Sequence, residues 1–196
     1  MAKTLFPPPP ETSSVPANFV YPDPAETWTP ITRKHLVEAI RKLNGFKAPR
    51  PDGIANIVFK KCPILINRLL SIFNATLQLD TYYDPWREST TVIIRKPSKP
   101  DYSVPKAYRP IALLNTTAKL LSALIADRVS YILEMHNLLP STHFGGRPGR
   151  STTDSLHLLE TTIRHAWRQG KVVSVLFLNI EGAFPNAVTD RLLHNM

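Results

Sequence analysis

Apolar side chains recur at helical spacing through much of the chain, interrupted by two stretches of β-branched residues. Leu36, Val37, Ile40 and Leu43 follow Thr29, Pro30 and Thr32, which supply a helix start, while Asn44 and Gly45 supply a stop. A second helix is predicted over Ile64–Leu79, with Ile64, Leu65, Leu69, Ile72, Phe73 and Leu77 on its apolar side and Pro63 at its first turn. Ser89–Lys96 carries Val92, Ile93 and Ile94 in succession and reads as a buried strand, closed by the prolines that follow. A third helix fits Thr117–Leu133, with Leu120, Leu121, Leu124, Ile125, Val129, Ile132 and Leu133 facing a core. A fourth opens at Ser151, where Asp154 completes a Ser-x-x-acid start signal, runs to about Trp167 and ends at Gly170. Val172–Leu178 reads as a second buried strand, followed by a turn through Gly182 and Pro185 and a short helical stub.

Residues 1–30 break this pattern. They hold 8 of the 19 prolines, including Pro7–Pro10, and little apolar periodicity, so a Pro-rich, poorly ordered tether is expected ahead of a folded body at residues 31–196. Charge divides at the same place. The tether carries a net −2 within a total of +9, which leaves +11 on the body. A basic excess of this size favours polyanions through phosphate contacts and counterion release.

The single cysteine, Cys62, excludes an internal disulfide and a multi-cysteine zinc site, and it fits a reducing, intracellular compartment, nuclear or cytoplasmic. No apolar stretch is long enough to span a membrane, and the N-terminus runs into prolines instead of the apolar core of a secretion signal. The six histidines show no metal-ligand spacing, and there is no internal repeat or G-x-x-x-x-G-K-[ST] loop.

Four segments carry candidate chemistry. KAPRPDGIANIVFKKC, Lys47–Cys62, holds a tight turn at Gly53 with Lys47 beside it, and taken alone reads equally as a turn between helices. WRESTTVIIRKPSKPDYSVPKAYRPIALL, Trp86–Leu114, has six basic and two acidic residues between Arg87 and Arg109, the densest positive patch in the chain. HFGGRPGRSTTDSL, His143–Leu156, combines three glycines, Arg147 and Arg150 with a helix start at Ser151, a combination suited to an anion. FLNIEGAF, Phe177–Phe184, ends the second strand on Asn179.

In this order the four segments resemble the reverse transcriptase domain of non-LTR, LINE-like retrotransposons. The Phe-Gly-Gly-Arg-Pro-Gly form at 144–149 resembles a fungal-type branch. The resemblance implies an α+β fold, the fingers and first part of the palm of a right-hand polymerase, incomplete at its C-terminal side. It implies that Lys96 and Arg109 meet the triphosphate of an incoming nucleotide and that Phe184 lies under its sugar. Lys47, Arg147, Arg150 and Ser151 would then contact nucleic acid, with RNA template and DNA primer as partners; oligomeric state is left open.

In the intact family an aspartate at the Asn179 position joins an Asp-Asp hairpin to hold two Mg²⁺ ions. Here the position is an amide and the sequence contains no Asp-Asp pair, so no intact metal set is expected and Mg²⁺ is not expected to bind functionally. Arg50 also departs from the family's usual glycine. The expected function is therefore that of a truncated retrotransposon reverse transcriptase, inactive as given. The alternative is a non-catalytic RNA-binding module derived from one.

Overall fold

The structure is a computed structural model of the full chain, and the residues described are 15–16, 18–23, 27, 29–47, 52–180 and 187–194. They contain six α-helices and one two-stranded sheet: α1 Arg33–Lys42, α2 Asn56–Lys61, α3 Ile64–Gln78, β1 Ser89–Arg95, β2 Tyr108–Leu114, α4 Thr116–Met135, α5 Thr152–Arg168 and α6 Thr189–His194. This is a mixed helix-and-sheet fold of the α+β kind. The chain divides into two compact units, one over Pro22–Val129, the other over Ser130–Met196 with Pro9–Tyr21. The boundary falls within α4.

The first unit holds the hydrophobic core. α1 begins where the Thr32 hydroxyl accepts the His35 N–H, which satisfies one of the four amides that a helix start leaves unpaired. Its inward face is Leu36, Ala39 and Ile40, which share one buried cluster with Leu69 and Phe73 of α3 and with Leu120 and Leu121 of α4. Full burial of a leucine or phenylalanine contributes roughly 1.5–3 kcal/mol each. Asn74 on α3 fixes the entry to α1: its carbonyl oxygen accepts the Ile31 N–H at 2.7 Å, and its amide donates to the Ile31 carbonyl at 3.0 Å. Trp86, buried after α3, meets Phe73 edge-on at a centroid distance of 6.0 Å and Tyr82 at 5.6 Å.

The helix pattern holds, with local corrections. Ile64 and Ile72 were expected on the apolar side of α3 but are exposed, and Leu65, Ile66 and Leu70 take up the partly buried positions. Ile125 on α4 is likewise outside, while Val129, Ile132 and Leu133 are only half-buried. β1 forms where expected but is exposed along its whole length. Its partner β2 was not marked as a strand by the hydrophobic pattern; the two strands make a two-stranded antiparallel sheet, with β2 half-buried at four of its seven positions.

The second unit is differently made: none of its described hydrophobic residues is buried. α5 nevertheless has a complete capping box, with Ser151 and Asp154 bonded reciprocally, as its sequence predicts. The strand expected at Val172–Leu178 is absent. Residues 171–180 have no regular structure, and Val172, Leu176, Phe177 and Leu178 are exposed. A strand is held by ladder hydrogen bonds to a neighbour, and no described segment pairs with this one. The turn through Gly182 and Pro185 lies outside the described residues, as does most of the expected tether.

Candidate nucleic-acid interface

The ribbon β1–β2 places the basic residues of the second motif. Ile94 pairs with Arg109 and Arg95 with Tyr108, and the Lys96 N–H continues the ladder to the Ala107 carbonyl at 2.8 Å. Side chains two apart on a strand share a face, and directly paired residues lie on the same side of the ribbon. Lys96 therefore shares a face with Ile94 and with Arg109, its diagonal neighbour at a typical backbone spacing of about 7–8 Å.

The connection between the strands is braced by its own side chains. The Lys96 ammonium donates to the Lys106 carbonyl at 2.8 Å, the Tyr102 hydroxyl to the Lys96 carbonyl at 2.9 Å, and the Tyr108 hydroxyl to the Tyr102 carbonyl at 2.9 Å. The Arg95 guanidinium lies 5.1 Å from the Tyr102 ring centroid. An ammonium has three donors, so one internal bond leaves Lys96 able to meet an anion as well. Arg109 is exposed. Asp101, the carboxylate of this loop, is held below its ordinary pKa chiefly by the backbone N–H of Ser103, with the Ser103 hydroxyl adding to it.

In the second unit the loop between α4 and α5 is organised around Arg147. Its Nε and Nη2 donate to the two carboxylate oxygens of Glu134 at 2.7 and 2.8 Å, and its Nη1 donates to the carbonyls of Pro140 at 2.9 Å and His143 at 3.2 Å. Its side chain is only 7% exposed. The Arg147 hydrogen bonds hold the Glu134 carboxyl below its ordinary pKa. The sequence suggested that Arg147 contacts nucleic acid; in the structure its guanidinium is bonded within the loop, to Glu134 and to two carbonyls. The two carboxylate oxygens of Glu134 and two backbone carbonyls outcompete solvent for its donors.

Arg150 remains outward, its guanidinium carbon 5.5 Å from the centroid of Phe144. Ser151 is already engaged. Its N–H and hydroxyl both donate to the Asp154 carboxylate, at 2.8 and 2.7 Å, so the chain's own anion occupies the start of α5. That bonding, the hydroxyl first, lowers the Asp154 pKa. Gly146 and Gly149 have φ of +69° and +68°, and a Cβ there would meet nothing within 4 Å. A left-handed backbone conformation is what these two glycines supply within the protein.

The first motif yields a contact that sequence reading missed. Asp52 accepts the Thr116 N–H at 2.7 Å and the Thr116 hydroxyl at 3.4 Å, while its other local bond, from the Ile54 N–H at 3.2 Å, shapes the turn. Asn115 completes the start of α4, its carbonyl oxygen accepting the Ala118 N–H at 2.9 Å. Lys47 is exposed at the end of the α1–α2 turn, next to residues 48–51, which lie outside the described set along with Arg50.

Asn179 is exposed in the irregular segment, and Phe184 lies outside the described residues. The Mg²⁺ pair implied by the resemblance draws on carboxylates, whereas Asn179 offers a neutral carboxamide. No group of three His, Cys, Asp or Glu side chains able to hold a metal lies among the described residues. The described residues do not make such a site. No helix among them is long and apolar enough to cross a membrane.

Comparison with known proteins shows the family. Residues 94–196 match the family described as reverse transcriptase (RNA-dependent DNA polymerase). The chain is 34% identical over 165 residues to a probable RNA-directed DNA polymerase from transposon BS of Drosophila melanogaster, covering 84% of this chain and 18% of that protein. It is 34% identical over 167 residues to the corresponding protein from transposon X-element of the same species, covering 85% and 18%. It is 29% identical over 166 residues to the RNA-directed DNA polymerase from mobile element jockey of Drosophila funebris, covering 84% and 18%. The chain thus spans about 18% of the length of these relatives. It belongs to the reverse transcriptase (RNA-dependent DNA polymerase) family, as part of a domain of the non-LTR retrotransposon kind.

Proposed function

We propose that this chain supplies the fingers and the opening of the palm of a non-LTR retrotransposon reverse transcriptase, and that it binds single-stranded RNA without polymerising on its own. The observation that carries this reading is the shared face of Lys96, which extends the ladder just past β1, and exposed Arg109 on β2, a pair of cations set to neutralise phosphate. Lys47 and Arg150 add exposed positive charge. RNA template and DNA primer are the partners. Phe184 lies under the nucleotide sugar, a role that rests on the motif alone, as does the fungal-type branch suggested by residues 144–149.

Asn179 carries the second half of the proposal. An amide keeps the shape of aspartate and a carbonyl oxygen but lacks the charge that hard cations draw on, so this position contributes little to binding Mg²⁺. The test is a salt titration of RNA binding by the purified chain. Affinity should fall steeply with salt, the log–log slope growing by about 0.7 for each phosphate contacted. A flat titration would overturn the proposal.

A further inference from the structure

The outward group of the α4–α5 loop has the chemistry of a base, not only a phosphate, receptor. Arg150 lies over the ring of half-buried Phe144, 5.5 Å from its centroid, so a planar cation and an aromatic ring sit side by side at the surface. The loop beneath it is fixed by polar bonds: Arg147 ties Glu134 to the carbonyls of Pro140 and His143, and the His143 ring bonds the Gly145 carbonyl at 2.9 Å, on either side of Phe144. The backbone N–H of Arg150 also reaches the Arg147 carbonyl at 3.4 Å.

A phosphate needs the charge of Arg150 but no ring behind it. An unpaired base gains from both, because every base has a π-face that stacks on aromatic rings and guanidinium planes. We propose that Phe144 and Arg150 form a stacking site for an unpaired nucleobase of single-stranded RNA, with Glu134 and Arg147 as positioning residues. This inference rests on the RNA-binding reading above and adds the part of the RNA that is recognised.

The experiment measures binding of the full chain to a single-stranded RNA, to the same strand made abasic, and to an RNA duplex of equal length, each across a range of salt. Phe144→Leu keeps the charge and an apolar side chain. It should weaken binding to the single strand by about 5- to 100-fold, the range expected from losing one stacked base, with no change in salt slope. Binding to the abasic strand and to the duplex should be unchanged. Arg150→Lys, which retains the charge but not the plane, should behave in the same direction.

Glu134→Gln gives an independent readout, since removing a negative charge would strengthen RNA binding by electrostatics alone, whereas loss of the Arg147 clamp should weaken it. Glu134→Asp should restore part of the loss. Equal effects of Phe144→Leu on the normal and abasic strands, or none on either, would overturn the stacking site while leaving the salt-dependent RNA binding of the wild type intact. Absence of salt-dependent binding by the wild type would overturn both.

Discussion

Asp52 and Thr116 are 64 residues apart in sequence and joined at 2.7 Å, the carboxylate of one accepting the first backbone N–H of the helix that the other begins. The turn of the first motif is thereby attached to the helix that follows β2. A negative group at a helix start satisfies an unpaired amide and meets the positive end of the helix dipole.

Asp52→Ala should therefore destabilise the chain by about 1–2 kcal/mol, the usual cost of losing a capping acceptor, and Asp52→Asn by less. The check is the urea midpoint followed by helical circular dichroism. An Asp52→Ala midpoint equal to wild type would show that the contact contributes nothing.

The neighbouring residues Phe73 and Ile72 should respond very differently to the same truncation. Phe73 is fully buried against Trp86, whereas Ile72 is 49% exposed. Phe73→Ala should cost about 3–5 kcal/mol, and Ile72→Ala should stay within about 0.5 kcal/mol, as exposed positions do. Denaturant midpoints of the two variants decide it.

How far the sequence could be read follows from where each signal resides. Thr32 and Ser151 were legible as helix starts because a cap is a contact within three residues. The burial of Phe73 followed from spacing on one helix. Asp52 was not legible as a cap, since nothing near it in sequence names Thr116. Arg147, set among glycines, reads as a charge for a ligand, and only the fold shows Glu134 facing it. The apolar runs Val92–Ile94 and Val172–Leu178 signal extended chain but not what covers it. One acquired a partner strand and remained exposed; the other has none among the described residues.

Acid should loosen the α4–α5 loop in a defined direction. The Glu134 carboxyl is depressed by its hydrogen bonds from Arg147, so its contribution is complete above the ordinary glutamate value of about 4.3 and disappears as pH falls through the lower folded value. Asp154, depressed by Ser151, acts with the same sign. Proteolysis of residues 136–150 should accelerate only on that acid limb. Glu134→Gln should already be cleaved faster at neutral pH. Identical cleavage of wild type and variant at neutral pH would remove the clamp from the account.

The Asn179 assignment can be tested by charge. When the chain is joined to the following palm and thumb of a related element, Asn179→Asp should raise Mg²⁺-dependent primer extension over the unmutated graft by more than the roughly 10- to 100-fold typical of a group outside the metal's own ligands. Asn179→Asp in the present chain should not confer extension. Equal extension by both grafts would show that Asn179 is not at the metal position.

The most direct test of the proposed function is the salt dependence of single-stranded RNA binding by the Lys96→Ala, Arg109→Ala double variant. Two lost phosphate contacts should weaken binding at low salt and make the log–log slope shallower by about 1.4, at roughly 0.7 per contact. Circular dichroism should show the fold retained, since Arg109 is exposed and half-buried Lys96 gives up a single bond, to the Lys106 carbonyl. A folded double variant that binds RNA with wild-type affinity and an unchanged slope would contradict the assignment of this face to nucleic acid.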